Sequence, residues 1–98
     1  HDSEWLLSQP ENHYTIQVLS AISESRAHDY ISTQDNPGQF AVFCKQGKPR
    51  VLSIVVCGVF EDRAAAKKAS GNLADATVSP WIRILSSVHS EIRACNEA

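Results

Sequence analysis

A chain of 98 residues, 43 % hydrophobic and 20 % charged, suits one small globular domain near the lower limit at which a core can be buried unaided. Its formal net charge of -2 speaks against a surface built to hold a phosphate backbone, which carries a strong basic excess. No run of about 18 or more apolar residues is present, and nothing resembles a charged and apolar leader.

Residues 1–13 hold Trp5-Leu6-Leu7 followed by Ser-Gln-Pro-Glu-Asn, with no sustained period. They read as an entry or linker segment with one apolar knot, and the domain proper is expected over 14–98. Residues 14–20 alternate, with Tyr14, Ile16 and Val18 on one side and Thr15, Gln17 and Leu19 on the other. That is a strand whose Ile16 and Val18 face the core. Over 24–34 the spacing of Ala27, Tyr30, Ile31 and Gln34 predicts a short amphipathic helix with Ser23 as its N-cap. Asp35-Asn36-Pro37-Gly38 stops it, because Pro37 biases Asn36 away from the α region and Gly38 permits positive φ.

Residues 39–46 and 51–58 are β-rich runs joined by Gly47-Lys48-Pro49, which predicts an antiparallel hairpin. A helix follows over 61–73, with Glu61 and Asp62 at its positive end, Lys67 and Lys68 further on, and Ala65, Ala66, Ala69 and Leu73 as its buried stripe. A short strand over 81–85 places Ile82 and Ile84 on one face and Trp81, Arg83 and Leu85 on the other. Residues 86–96 suit a closing helix, with Val88, Ile92 and Cys95 at helical spacing.

The order β-α-β-β-α-β plus a terminal helix predicts an α+β, ferredoxin-like split βαβ fold, with a four-stranded antiparallel sheet and helices on one face. The free face would then carry Gln17, Leu19, Leu52, Ile54, Val56, Trp81 and Arg83, an apolar surface of the kind that marks interaction sites. The competing arrangement covers Leu52, Ile54 and Val56 with the closing helix or with Trp5-Leu6-Leu7, since monomers seldom leave such a stripe bare.

Nothing in the chain points to catalysis. His13, His28 and His89 are scattered, and Glu61-Asp62 sits where acids cap a helix dipole. His28 and Asp29 are adjacent on a helix and point in different directions, which argues against a shared metal. No catalytic residue, metal or cofactor is expected. Cys44, Cys57 and Cys95 are an odd set without Cys-x-x-Cys spacing and signal neither a zinc site nor a disulfide framework. Cys44 and Cys57 are expected to face the core as small hydrophobes, with one pairing left open in an oxidising compartment. The absence of methionine and the opening His1-Asp2-Ser3 suggest a piece excised from a longer protein.

Tyr-Thr-Ile-Gln-Val-Leu-Ser as a first strand, Gly58-Val59-Phe60 closing the third, an Ala-rich helix directly after it and a late Ser-Pro-Trp-Ile-Arg strand together resemble the SPOR domain. The resemblance covers residues 14–87, and the Pro-Trp opening of the last strand is similar to that of DamX-like bacterial cell-division proteins. Leu19 stands where many members have Gly, Val59 where Pro is usual, and Ile54 and Val56 where polar or basic residues are common. The resemblance implies a non-catalytic module that binds peptidoglycan glycan strands stripped of their stem peptides at the division septum. It implies a periplasmic location, with the parent protein anchored upstream in the inner membrane and division-protein partners possible. Gln17 and Ser20 match the family's first-strand binding residues, Leu52 stands where DamX-like members place an aromatic, and Trp81 matches their last-strand tryptophan. With Leu19, Ile54, Val56 and Arg83 from the alternation of the same face, these form the expected glycan-binding set.

Two other readings compete. One is a protein-interaction module of an envelope or division protein, using the sheet face or its edge. The other, an RNA-binding sheet, shares the element order but lacks aromatic pairs on the central strands and a basic surface.

Overall fold

The computed structural model describes residues 2–34, 36–47, 50–71 and 80–97. Its sheet has the order β2-β3-β1-β4, formed by β1 (Tyr14–Ala21), β2 (Phe40–Lys45), β3 (Leu52–Phe60) and β4 (Trp81–Ile84). Every pairing is antiparallel, so β1 and β2 run the same way with β3 inserted between them. This is the split βαβ arrangement expected.

The two crossover helices lie on one face. Ser23 caps α2 (Glu24–Ser32), its hydroxyl accepting from the Arg26 N–H at 3.2 Å. Asp62 caps α3 (Arg63–Ser70) in the same way, its carboxylate accepting from the Ala65 N–H at 2.7 Å. Ala27 and Ala66 are the fully buried contacts of these helices, packed on Ile16, Val18, Phe40, Val55 and Cys57. Alanine at both points brings each helix axis close to the sheet. Ala65, expected in the buried stripe, is exposed, and the expected contact of Leu73 lies outside the described residues, as do Asp35, Lys48 and Pro49.

The other face is covered as well, which corrects the expectation of a bare surface. Ser3–Leu7 forms α1, capped by Asp2, and Leu85–Glu97 forms α4. Leu6 from α1 and Leu85, Val88 and Ile92 from α4 pack onto Ala41, Phe43, Ile54 and Val56. β4 passes into α4 without a loop, and the opening N–H groups of the helix find acceptors in the segment that leads into β1. Leu85 donates to the His13 carbonyl at 2.8 Å and Ser86 to the Glu11 carbonyl at 2.9 Å. Buried His89 donates through Nε2 to the Leu6 carbonyl at 2.7 Å, which ties α4 to α1. The segment before Tyr14 is therefore built into the fold.

Two bulges set which side chains share a face. Gln17 pairs with Val56 and Leu19 with Val55, so Val18 is an extra residue in β1. Leu19 consequently packs with the cluster under α2 and α3, and the face of Gln17 passes to Ser20. The second bulge is in β3 at Gly58, whose φ of 71° suits glycine and whose carbonyl accepts from the buried Thr15 hydroxyl at 2.7 Å.

Cys57 is buried, as expected, and free, and the pairing left open is made by Cys44, expected in the core, with Cys95, fastening α4 near its end to the edge strand β2. The bridge closes a sequence separation of 51 residues. Chain-entropy arithmetic for a loop of that length gives about 4 kcal/mol of stabilisation. Urea unfolding with and without reductant is expected to differ by that order, and thiol labelling of the unfolded, unreduced chain is expected to modify Cys57 alone. Labelling of all three cysteines would show the bridge to be absent.

Candidate functional site

The covering helices divide the expected site. Ile54 and Val56 are each 1 % exposed beneath α1 and α4, and Leu52 packs half-buried against the same cluster. Leu19 is on the opposite face because of the Val18 bulge. These four do not meet solvent as a common surface. Gln17, Ser20, Trp81 and Arg83 do come together, at the end of the sheet where β4 begins. Register puts Gln17 directly opposite Trp81, and the bulge brings Ser20 onto their side.

Arg83 organises this corner. It is only 6 % exposed, and its guanidinium makes two parallel bonds to Glu91 of α4, Nη1 to Oε1 at 2.8 Å and Nη2 to Oε2 at 2.7 Å. Nη1 also donates to Gln17 Oε1 at 3.0 Å, and Nη2 to the Ser87 hydroxyl at 2.8 Å. A planar fork matched to a carboxylate is the arrangement in which arginine tolerates burial. Ser87 and Glu91, one helical turn apart, face the strand together.

Two consequences shape the surface. The Gln17 carbonyl oxygen is committed to Arg83, so its amide N–H donors are directed away from the guanidinium. Trp81 lies with its ring centroid 5.1 Å from the Arg83 carbon, a cation–π contact, yet stays 58 % exposed. A tryptophan normally buries most of its ring; here one face is held and the rest is offered to solvent. Lys45 stands 3.6 Å from the same Glu91 oxygen that Arg83 engages.

Sequence reasoning missed Glu91, Ser87 and Lys45. A signal for Glu91 was present, since an arginine inside a short strand that meets a closing helix needs a carboxylate, and Glu91 is the acid in the middle of that helix.

Burial acts to raise the Glu91 carboxyl, but the hydrogen bonds and charge of Arg83, with the help of Lys45, outweigh it and hold the group below the ordinary carboxylate range. No group of metal-binding side chains occurs among the described residues, nor any helix long and apolar enough to cross a membrane. A cleft of about 220 Å³ at the β2 edge, lined by Asp2, Ser3, Glu24, Val42, Phe43, Cys44 and Ser53, shares no residue with the strip of Gln17, Ser20 and Trp81.

A carboxyl held low contributes stability in full above its unfolded-chain value and loses it as pH falls through the folded value. The stability difference between wild type and Glu91→Gln is therefore expected to be constant near neutrality and to shrink below the usual glutamate range. Glu91→Ala, which strands a buried guanidinium, is expected to cost roughly 3 kcal/mol at neutral pH. A difference that stays the same through acid unfolding titrations would show that the pair does not hold in solution.

No protein-family model, curated protein or solved structure matches the chain.

Proposed function

We propose that this chain is a non-catalytic glycan-binding domain that engages peptidoglycan strands, those without stem peptides in preference, along the strip formed by Gln17, Ser20 and Trp81. The observation that carries the reading is the exposed indole of Trp81, held flat by the buried Arg83 beside neutral hydrogen-bonding groups. Pyranose rings present apolar C–H faces that pack on an indole, and their hydroxyl and acetamido groups need donors and acceptors such as the Gln17 amide and the Ser20 hydroxyl. The charges at this corner are largely paired among Arg83, Glu91 and Lys45, which suits a hydroxyl-rich ligand better than a polyanion.

The resemblance to SPOR domains supplies the choice of glycan and, with it, the periplasmic and septal setting. The glycan reading does not need a bare sheet face. It needs one stacking ring and a few fixed polar atoms, and these lie outside the area that α1 and α4 cover. Because α4 borders the strip, stem peptides projecting on that side collide with the helix, a steric route to preferring stripped strands. A protein partner docking on the apolar stripe of Ile54 and Val56 loses its surface in this structure, leaving that alternative only the sheet edges.

Cosedimentation with isolated cell-wall sacculi before and after amidase digestion tests the proposal. Binding is expected to rise after digestion, to fall roughly tenfold or more in Trp81→Ala, as removal of a central aromatic anchor does, and to fall less in Gln17→Ala. No binding to either preparation would refute the glycan reading.

A further inference from the structure

We propose that the outer edge of β2 is a docking site for an extended segment of a partner protein that carries a lysine or arginine and joins the four-stranded sheet as a further strand. This edge shares no residue with the strip of Gln17, Ser20 and Trp81 and does not depend on the glycan reading.

β2 has a neighbour, β3, on one side only. Every second residue of such a strand turns its N–H and C=O outward, and among the described residues no backbone hydrogen bond reaches residues 41–45 from any element but β3. Proteins blunt an edge of this kind with a very short strand, a bulge, a proline or a lysine. β4, the other edge, is short at four residues and runs straight into α4. β2 has six residues, roughly 20 Å at the usual strand rise, with no proline and an unbroken register from Phe40 opposite Cys57 to Lys45 opposite Leu52. Its one lysine is drawn to Glu91 of α4. The bridge from Cys44 to α4 lies at the Lys45 end and holds the strand in place before a partner arrives.

The cleft at this edge defines the chemistry of the occupant. Val42, Phe43 and Cys44 are consecutive, so their side chains alternate between the two faces, and a cleft that all three line follows the rim of the strand. Asp2 and Ser3 enter it from the layer of α1 and Glu24 from the layer of α2, which cover opposite faces of the sheet. At about 220 Å³ it is smaller than the roughly 300–1,000 Å³ of small-molecule sites, and it suits one long side chain. The lining holds two carboxylates and no cation, and no lysine or arginine pairs with either acid among the described residues. Asp2 gives Oδ1 to the Trp5 N–H, and Glu24 faces exposed His28 at 3.4 Å. In strand addition the main-chain bonds supply affinity and the pocket beside the strand supplies selectivity, here for a basic side chain. A second copy of this chain fits poorly, because pairing β2 with itself about a two-fold axis brings Asp2 and Glu24 of each copy toward the same acids of the other.

The test adds to the intact chain a set of blocked hexapeptides of valine, threonine and tyrosine in varied order, with lysine, norleucine or glutamate at the third or fourth position. Binding is followed by anisotropy of a label on the peptide and by amide exchange of the protein. The lysine peptides are expected to bind about fivefold more tightly than the norleucine peptides, and the glutamate peptides more weakly than either. The double variant Asp2→Asn, Glu24→Gln, in which asparagine can still cap α1, is expected to erase that preference. Exchange is expected to slow about tenfold or more at alternate positions within residues 41–45. N-methylation of alternate peptide residues is expected to abolish binding in one pattern and spare it in the other, because only one edge of an added strand bonds to β2. Binding by no peptide of the set, equal binding of lysine and glutamate peptides, loss in both methylation patterns or in neither, or slowed exchange confined to other elements would overturn the proposal. A dimer in sedimentation equilibrium with residues 41–45 protected in the absence of peptide would also overturn it, giving the edge to a second copy.

Discussion

A guanidinium held almost out of water at the junction of the last strand and the closing helix is the constraint on which the rest of this molecule depends. An unpaired charge there would cost several kcal/mol, so Arg83 requires Glu91, and Glu91 requires α4 to lie across the sheet. The same guanidinium binds Gln17 and Ser87 and lies over Trp81. One residue thus docks a helix, sets the direction of an amide and flattens an indole. A buried ion pair adds little net stability over a well-packed apolar pair, so its value here is in geometry. It gives the exposed corner fixed atoms without making the corner strongly charged.

The second constraint is a short chain with a sheet that is apolar on both faces. The crossover helices satisfy one face with alanine contacts, and the other is closed by α1 and α4, with His89 joining the two and the Cys44–Cys95 bridge fastening the far end. What this closure takes away is the broad open platform of a bare sheet. What it leaves exposed on that side is Ser20 and most of the Trp81 ring, at the end of the sheet where β4 begins.

Element order, the hairpin, the Ser23 cap and the closing helix were legible in local periodicity and turn chemistry, since each depends on neighbours in sequence, whereas Asp62 was read as an acid inside the helix that it in fact caps. The covered face was legible too, though it needed a different emphasis. The run Ile54-Val55-Val56-Cys57 has no polar alternation, and such a run belongs to a strand buried on both sides. Leu19 was misplaced because strict alternation cannot anticipate an inserted residue; the Val18 bulge is set by pairing with β3, a long-range event. Of the site, Gln17, Ser20 and Trp81 came from a resemblance and from strand position, while Glu91 depends on how the terminal helix folds back. Trp5-Leu6-Leu7 was visible as apolar, but five helical residues carry too little period to announce a helix.

The most direct measurement is a titration of isotope-labelled protein with amidase-stripped glycan oligosaccharides, followed by amide, indole and methyl resonances. The account predicts shifts at Gln17, Ser20 and the Trp81 indole N–H, with the methyls of Ile54, Val56 and Ile92 unmoved because the cover stays in place. Large shifts of those core methyls would mean that ligand lifts α4 and binds the sheet beneath, and would contradict the closed face on which this account is built.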